Sequence, residues 1–258
     1  MIFGNIYKKK KIGNYTILLD LKNPHELDYF NDKEIIDDYI ISNLIEKDYN
    51  IVDLGANVGY ETVLYLNKTE GKVYSFEPFK IVYKQLKYIK KQAKNLFIYN
   101  IAIADENKKG ILVLSDTHNQ GNTTNDDYLK HFDFIFIKNR KQKIIMRTLD
   151  YFNLKEISFL KIDVEGAEHL VFKGAEEFFR NNNPIVQIEI YPFMEENIFD
   201  ASKSMLKNIK RVAIDNKGNL RLLDKDQPID NSKYKLSSPP TYLLFNDDHL
   251  KKLSLYFG

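Results

Sequence analysis

Short apolar runs alternate with amphipathic segments along most of this chain. From Tyr49 onward, runs rich in Ile, Leu, Val, Phe and Tyr predict buried strands, and the segments between them carry apolar side chains at helical spacing. The predicted strands of this region are 50–54, 72–77, 96–101, 157–164 and 184–190, and the predicted helices are 61–67, 79–94, 167–181 and 195–207. Repeated strand–helix units predict a parallel sheet with helices on both of its faces.

Two later regions depart from this alternation. Residues 102–147 are predicted to hold a polar loop, 115–127, among strands 110–114, 132–138 and 143–147. The C-terminal region has predicted strands 211–214, 220–223 and 241–245, and a turn at 216–218 joins the first two of them. This terminal hairpin suggests an antiparallel edge to the sheet.

The N-terminal region predicts a hairpin followed by a helix. Residues 5–21 have the strand pattern, with Gly13 and Asn14 as the turn. Asn31 or Asp32 is placed to cap the helix, whose apolar positions are Ile35, Ile36, Tyr39, Ile40 and Leu44. We therefore predict a single α/β structure, with residues 1–48 as an elaboration packed on a core of residues 49–258.

The composition is that of an ordinary globular protein. Of 258 residues, 43% are hydrophobic and 29% are charged, which is enough to form a full core. The 38 basic and 36 acidic residues leave a net charge of +2, so no overall charge favours nucleic acid or a membrane as a partner. Cysteine is absent, which excludes disulfides, thiolate nucleophiles and cysteine-ligated zinc.

Several common signatures are also missing from the sequence. The five histidines are far apart and form no H-E-x-x-H pair, and neither a G-x-S-x-G elbow nor a phosphate-binding G-x-x-x-x-G-K-[ST] loop occurs. No apolar run approaches the roughly 18 residues of a membrane-spanning helix. The segment after the basic N-terminus is too short and too polar for a signal peptide, so we expect no membrane span and a cytoplasmic location.

The segment after the first predicted core strand carries the strongest chemical signal. Asp53 ends the strand, and Gly55 and Gly59 follow in a loop that leads directly into a helix. The spacing D-x-G-x-x-x-G differs from the dinucleotide-binding G-x-G-x-x-G. An acid at this position disfavours pyrophosphate but suits an ammonium group, which S-adenosylmethionine carries. A simple β–α turn that requires glycines is the alternative interpretation.

Two further acidic positions follow predicted strands. Glu77 lies where an acid commonly binds ribose hydroxyls, which fits the adenosine of either NAD or S-adenosylmethionine; a surface glutamate is the alternative. Asp163 and Glu165 end a later strand, and His169 lies on the next helix. Titratable groups near a ligand site are candidates for a general base, although acids also suit a helix N-terminus and His169 suits a purely structural role.

The chain resembles the FkbM-type S-adenosylmethionine-dependent methyltransferases in four ordered segments: IVDLGANVGYET, VYSFEP, IYNIAIAD and LKIDVEGAEHLVFKGA. The resemblance covers roughly residues 30–192 and is specific where the DLGANVG and KIDVEGAE segments occur together. It implies a Rossmann-like fold with a seven-stranded, mostly parallel sheet. It also implies methyl transfer, mostly to oxygen, with hydroxyls of sugars and of polyketide-like natural products as typical acceptors.

The resemblance also implies roles for particular residues. Asp53, Gly55, Asn57 and Gly59 would hold the methionine part of S-adenosyl-L-methionine, Glu77 its ribose, and Asn100 and Ala102 its adenine edge. Asp163 and Glu165 would border the sulfonium and the acceptor. Our candidates for the base that removes the hydroxyl proton are, in order, Glu165, His169 and Asp163.

Other features leave the acceptor open. His118, Asn119 and Asn122 in the polar loop could bind a polyol, with a solvated loop as the alternative. The lysines at 8–11 and 138–143 could contact an anionic acceptor, but a solvated surface is the favoured interpretation of both clusters. Asp163 and Glu189 could instead chelate a divalent cation, but the usual Asp–Asn companion is missing, so we predict no metal.

We therefore predict an S-adenosylmethionine-dependent O-methyltransferase that acts on a hydroxyl of a sugar or glycoconjugate precursor. A different small-molecule or natural-product acceptor is the first alternative. A nicotinamide-dependent oxidoreductase would require the missing G-x-G-x-x-G, and a nucleic-acid methyltransferase would show a basic surface and an [N/D]-P-P-[Y/F] motif. A non-catalytic relative would have a damaged glycine loop. The sequence predicts no oligomeric state.

Overall fold

A computed structural model of the protein describes residues 7–31, 35–118, 121–136, 138 and 140–258. Asp32 as a helix cap, residues 5 and 6 of the hairpin, and Asn119 as a polyol ligand lie outside these residues. The strands are β1 (Tyr7–Ile12), β2 (Tyr15–Asp20), β3 (Asn50–Leu54), β4 (Val73–Phe76), β5 (Leu96–Tyr99), β6 (Ala102–Ile103), β7 (Lys108–Leu114), β8 (Arg140–Arg147), β9 (Ile157–Ile162), β10 (Ile185–Glu189), β11 (Asn208–Asp215), β12 (Leu220–Asp224), β13 (Tyr234–Lys235) and β14 (Thr241–Phe245).

The α-helices are α1 (Pro24–Phe30), α2 (Ile36–Leu44), α3 (Tyr60–Lys68), α4 (Lys80–Lys90), α5 (Asp126–His131), α6 (Glu168–Lys173), α7 (Glu176–Asn181), α8 (Glu195–Ser202) and α9 (Leu250–Leu253). Those of the core pack on two separate hydrophobic clusters. Ile51 of β3 belongs to the cluster that contains buried side chains of α2, α3 and α4, whereas Val52 belongs to the cluster that contains those of α6, α7 and α8. Because neighbouring side chains of a strand point to opposite faces, helices cover both faces of the sheet, as predicted.

The main sheet is mixed. Its strand order is β12-β11-β14-β10-β9-β3-β4-β5, and the short β13 pairs with β11. One end of this path is parallel and consists of β10, β9, β3, β4 and β5. In contrast, β14 is antiparallel to both of its neighbours, and β12 is antiparallel to β11. The α/β class and the antiparallel edge are confirmed. The seven-stranded form of the sheet is not, because β12 extends the path to eight strands within the described residues.

The region between β5 and β9 differs most from the prediction. β6, β8 and β7 form a separate three-stranded sheet. The predicted strand at 132–138 is wrong, since α5 is followed by a short 3-10 turn, Asp133–Ile135. Asn125 begins α5: its side-chain oxygen accepts hydrogen bonds from the N–H groups of Asp127 (2.7 Å) and Tyr128 (3.1 Å).

The single helix predicted at 167–181 is two helices. It breaks at Gly174, where a β-carbon would overlap the carbonyl oxygen of Ala104. The second helix is capped from a distance, because the Asp150 carboxylate accepts hydrogen bonds from the N–H groups of Glu177 (3.1 Å) and Phe178 (2.6 Å). A tertiary contact thus sets a boundary that helical periodicity alone does not show.

The N-terminal region packs against α3 and α4. The hairpin of β1 and β2 has the predicted turn, and Thr16 and Gln92 of the α4 end exchange two hydrogen bonds (2.9 and 2.7 Å). Helix α1 was not predicted, and α2 begins after Ile35 rather than at a cap on Asn31: the Ile35 N–H donates to the Asp38 carboxylate (3.0 Å). Along the described part of the chain, no helix is long and apolar enough to cross a membrane.

Candidate functional site

A cleft opens at the carboxyl ends of β3, β4 and β9, the edge at which open α/β sheets bind ligands. Six of the predicted cofactor-binding or catalytic residues line it, namely Gly55, Asn57, Glu77, Ala102, Asp163 and Glu165. The apolar part of its wall consists of Leu54, Phe76, Ile101, Ile103 and Leu112. The fold therefore brings the motifs after β3, β4, β5 and β9 to one cavity.

Four other predicted site residues do not line this cleft. Asp53 is buried behind the loop and accepts a hydrogen bond from the Thr62 hydroxyl (2.6 Å). Gly59 packs against Leu86, and Asn100 lines a neighbouring groove. His169 is half-buried, its Nδ1 has no hydrogen-bond partner, and burial lowers its pKa. The roles that the sequence predicts for these four residues stay predictions. Because the four residues do not line the cleft, their positions do not favour direct contact with a ligand.

The loop after β3 follows a path that few residues tolerate. Gly55 has φ +87° and lies so close to β9 that a β-carbon would overlap the carbonyl oxygen of Asp163. Asn57 is left-handed at φ +48°, and its side-chain oxygen is buried without a hydrogen-bond partner among the described residues. A buried oxygen without a partner at the wall of a cleft can accept a hydrogen bond from a bound molecule.

Glu77 holds the same loop from the next strand. Its carboxylate accepts hydrogen bonds from the N–H groups of Asn57 (2.9 Å) and Phe79 (2.6 Å). Burial raises the pKa of Glu77 to about 7, although these two hydrogen bonds oppose the rise. Asn100 supports the turn by donating to the carbonyl oxygens of Glu77 (2.8 Å) and Pro78 (3.0 Å). Asn100 therefore positions Glu77.

Asp163 faces the cleft and is paired below it. The ammonium of Lys161 lies 3.3 Å from a carboxylate oxygen of Asp163 and 3.3 Å from one of Asp37 on α2. Lys161 and Asp37 are almost fully buried. Burial alone would lower the pKa of Lys161, but Glu61 and its two partners outweigh burial and raise it. Lys161 therefore remains a cation, and it ties α2 to the candidate site.

Glu165 has a strained backbone conformation, and side chains from the region between β7 and β8 hold it in place. Its backbone is left-handed at φ +55°, its carbonyl oxygen accepts a hydrogen bond from the Thr123 hydroxyl (2.5 Å), and its carboxylate accepts one from the Tyr128 hydroxyl (2.6 Å). Burial and the nearby Asp163 raise the pKa of Glu165, against the hydrogen bond from Tyr128. Strain supported by several contacts is typical of a functional site.

Sequence reasoning missed Tyr128 and Thr124, whereas Asn122 was named as a candidate ligand for a polyol. Asn122 and Thr124 line the cleft, and the Tyr128 hydroxyl also lies 3.4 Å from that of Tyr191. The cap residue Asn125 was the one available signal for α5, because Asn followed by two acids is typical of a helix start.

Acidic side chains are concentrated around the cleft. Burial raises the pKa of Asp53 to about 6, that of Glu168 to about 7 and that of Glu61 to about 8. Burial and Asp163 also raise the pKa of Glu189. Among the residues with described positions, no three His, Asp or Glu side chains are arranged to hold a metal ion. A positively charged ligand would favour the ionised form of these acids and would lower their pKa values.

Comparison with known proteins agrees with this arrangement. A family model described as the methyltransferase FkbM domain matches residues 53–215, which is more than half of the chain. No curated protein matches the sequence. The crystal structure of methyltransferase FkbM from Methylobacillus flagellatus KT has a TM-score of 0.51 at 16% identity; the match covers 86% of this chain and 50% of that one, so this chain spans about half the length of that protein.

Two other solved structures are more distant. Precorrin-6y C5,15-methyltransferase from Geobacter metallireducens GS-15 has a TM-score of 0.45 at 10% identity, with 83% of this chain and 90% of that chain covered. TYW2 from M. jannaschii, solved in complex with AdoMet, has a TM-score of 0.44 at 11% identity, with 95% and 87% covered. Neither carries an argument about function, and the structural likeness concerns the fold. The match over residues 53–215 decides the family: this chain belongs to the methyltransferase FkbM domain family.

Proposed function

We propose that this protein is an S-adenosylmethionine-dependent O-methyltransferase whose acceptor is a hydroxyl of a saccharide or glycoconjugate precursor. The observation that carries the proposal is the single cleft at which the glycine loop, Glu77 and the acidic pair Asp163 and Glu165 meet. A dinucleotide would place a pyrophosphate against this acidic edge, which electrostatics disfavours. We therefore propose S-adenosylmethionine, which is a cation, rather than NAD as the cofactor.

The residues present fit this cofactor. Glu77 would accept from the ribose hydroxyls, and Ile101 and Ala102 would form the apolar edge for adenine. The partnerless side-chain oxygen of Asn57 and the narrow passage at Gly55 suit the methionine end. The carboxylates of Asp163 and Glu165 favour its positive charge.

The protein's own contribution is orientation and proton removal. When bound, the cofactor supplies a methyl group already activated on a sulfonium, so the acceptor oxygen must be held in line and shielded from water. Glu165 is our candidate base, because it lines the cleft and the Tyr128 hydroxyl fixes its carboxylate. A base within hydrogen-bond reach contributes on the order of 10²–10⁴-fold. Asp163 is the second candidate, and it is held by Lys161.

The saccharide part of the proposal is supported by the family resemblance and by the polar side chains beside Glu165. Asn122 and Thr124 line the same cleft and offer amide and hydroxyl groups to a polyol. A natural-product hydroxyl is the alternative acceptor.

Calorimetric titration with S-adenosylmethionine, S-adenosylhomocysteine and NAD in parallel tests the cofactor. We expect micromolar binding of the first two and none of NAD. Binding of NAD alone would overturn the proposal. A screen of sugar and glycoconjugate acceptors with radiolabelled S-adenosylmethionine then tests the acceptor, since label that enters only non-saccharide compounds would remove the saccharide part.

Two matched glutamates test the base. Glu165→Gln keeps the side-chain shape and should leave cofactor binding within about threefold while slowing transfer on the order of 10²-fold or more. Glu156→Gln is the control, because Glu156 is also left-handed, at φ +59°, but is exposed and away from the cleft. Equal transfer rates in the two variants would eliminate Glu165.

A further inference from the structure

A second groove lies beside the cleft, against the sheet of β7 and β8. Lys80, Lys109 and Lys143 line it together with Ile111 and Ile145. In the antiparallel register, Lys109 is opposite Ile145 and Ile111 is opposite Lys143. Residues opposite each other and two apart share one face of a sheet, so these four side chains form a checkerboard of two cations and two apolar groups. We call these four residues and Lys80 the lysine–isoleucine face.

The lysines of this face are unpaired. None of their three ammonium groups has an ion pair or hydrogen bond among the described residues, although most other lysines near acids are paired. The surrounding sequence adds to the charge: residues 78–104, which include α4, contain six lysines and no Asp or Glu. Unneutralised cations at this density attract an anionic surface.

The isoleucines of this face are unusually exposed. Ile111 and Ile145 each have 44% of their surface accessible, and both line the groove. Isoleucine offers a nucleic-acid base no aromatic ring to stack on, and Lys offers phosphate a point charge rather than the planar fork of Arg. A small soluble phosphate would leave both isoleucines in water. A layer of phosphate headgroups above hydrocarbon satisfies both residue types at once.

We propose that the lysine–isoleucine face is a docking surface for an anionic phospholipid bilayer, in which the lysines contact the headgroups and the isoleucines enter the boundary with the acyl chains. The contact is peripheral. Gln142 fixes this face to the cleft, because its side chain donates to the Pro78 carbonyl oxygen (2.8 Å) and accepts from the Lys80 N–H (3.2 Å). Pro78 lines both the cleft and the groove, so docking places the cleft beside the membrane.

Vesicle sedimentation tests the proposal on the full chain. We expect binding to phosphatidylglycerol vesicles, little binding to phosphatidylcholine vesicles, and weakening as salt is added. K80Q/K109Q/K143Q should lower the partition coefficient about 100-fold, since each lysine near an anionic surface contributes about fivefold. I111S/I145S should lower it by about tenfold or more.

The matched control is K155Q/K217Q/K251Q. It removes the same charge from three exposed lysines that lie outside the groove, and it should change the partition coefficient by less than about threefold. An equal loss in both triple variants would overturn the proposal, because overall charge would then explain the binding. Circular dichroism and S-adenosylmethionine titration of each variant confirm that the fold is retained.

An independent readout uses the absence of tryptophan from the chain. I145W introduces one indole at the face, and its emission should shift to the blue with phosphatidylglycerol vesicles but not with inorganic diphosphate or single-stranded RNA. A shift with diphosphate alone would overturn the proposal in favour of a soluble phosphate ligand. A shift with RNA alone would overturn it in favour of nucleic acid, and no shift with any of the three would also overturn it.

Discussion

Gly55 lies where β3 leaves the sheet, with φ +87° and no room for a β-carbon beside the Asp163 carbonyl oxygen. Gly55→Ala therefore combines left-handed strain, of about 1 kcal/mol, with displacement of the end of β9. We expect a loss of at least about 3 kcal/mol in the free energy of unfolding. The cofactor affinity should also fall. Urea denaturation and calorimetry measure the two effects.

Gly218 provides the matched control for this prediction. It is also left-handed, at φ +82°, but no atom lies within 4 Å of the position that a β-carbon would take. Gly218→Ala should therefore lose only about 1 kcal/mol in the free energy of unfolding and keep cofactor binding. If the two alanine variants were equally stable, the close approach of the β3 loop to β9 would be wrong.

Glu77 gives a prediction on pH. Its pKa is raised to about 7 by burial, and the ionised carboxylate accepts hydrogen bonds from ribose hydroxyls more strongly than the protonated acid does. Binding therefore favours the deprotonated form, so affinity for adenosine should increase by up to about tenfold between about pH 6 and about pH 8. Adenosine is the probe because it lacks the amino group of methionine. Calorimetry across this pH range measures the increase.

Two glutamine variants test which glutamate causes this pH dependence. Glu77→Gln should weaken adenosine binding by about 10- to 100-fold and remove its dependence on pH, because the amide does not ionise and can no longer accept from both N–H groups. Glu168→Gln should retain the pH dependence, since Glu168, whose pKa is also raised to about 7, does not line the cleft. The reverse pattern would move the ribose contact away from Glu77.

At the scale of elements, α5 and the turn after β9 are joined by one side chain. Asn125 caps α5 with its oxygen and donates with its amide nitrogen to the Gly166 carbonyl oxygen (2.7 Å). Asn125→Ala should cost about 1–2 kcal/mol locally. Hydrogen exchange of the amides in α5 and of the amide of Glu165 should then accelerate together, by about 5- to 30-fold. Mass spectrometry of peptides from both segments measures it.

Asn23→Ala is the control for this coupling. Asn23 caps α1 by accepting a hydrogen bond from the His25 N–H (3.1 Å), but it has no contact with the turn after β9 in the hydrogen bonds of the described residues. Exchange should accelerate in α1 alone. If Asn125→Ala accelerated α5 and left Glu165 unchanged, α5 would not support the candidate base.

The sequence predicts the boundaries of an element well where local residues set them, and poorly where contacts with distant segments set them. Strands β3 and β14 have the predicted bounds because apolar runs between polar residues show buried strands directly. The helix break at Gly174 and the strand wrongly predicted at 132–138 have tertiary causes. The helix break depends on Ala104, which belongs to another segment. The aromatic residues of the wrongly predicted strand form a cluster around Tyr128 instead of one face of a strand. Local patterns contain neither contact.

The candidate site divides in the same way. The residues of the cleft that follow strands, such as Gly55, Glu77 and Asp163, were predictable because parallel strands bring their carboxyl ends to one edge. Tyr128 was not, since α5 reaches Glu165 through a long loop. Asp53 and His169 show the remaining gap, because a motif gives position along the chain but does not show which side chains turn away from the cleft.

At the scale of the whole molecule, the net charge of +2 conceals an uneven distribution. The lysine–isoleucine face carries cations without an ion pair among the described residues, and α4 adds further lysines, whereas buried acids surround the cleft. The sequence-based expectation that charge favours no membrane partner followed from the average alone. Charge on a surface acts over about 8 Å at physiological salt, so local density decides what a face attracts.

The buried charges also determine how the core responds to pH. Lys161 is the cation that Asp37 of α2 and Asp163, directly after β9, share, and the Gln187 amide also donates to Asp37. Glu61 and Asp53 are close enough for their charges to affect Lys161 and each other. For both acids the folded pKa is above the unfolded value, so their stabilising effect is present at low pH and is lost as pH rises through about 6 and about 8.

Lys161→Met keeps the length of the side chain and removes its charge, leaving Asp37 and Asp163 uncompensated. We expect a loss of about 3–5 kcal/mol in the free energy of unfolding at about pH 8. The loss should be smaller at about pH 5, where Glu61 and Asp53 are protonated and less negative charge surrounds the site. Lys47→Met is the control: Lys47 pairs with Glu70, both side chains are 75% exposed, and urea denaturation should show a change of about 0.5 kcal/mol or less at either pH. A loss for Lys161→Met that did not depend on pH would mean that packing, rather than charge, makes this lysine necessary, and α2 would then be held to the core without the ion pair.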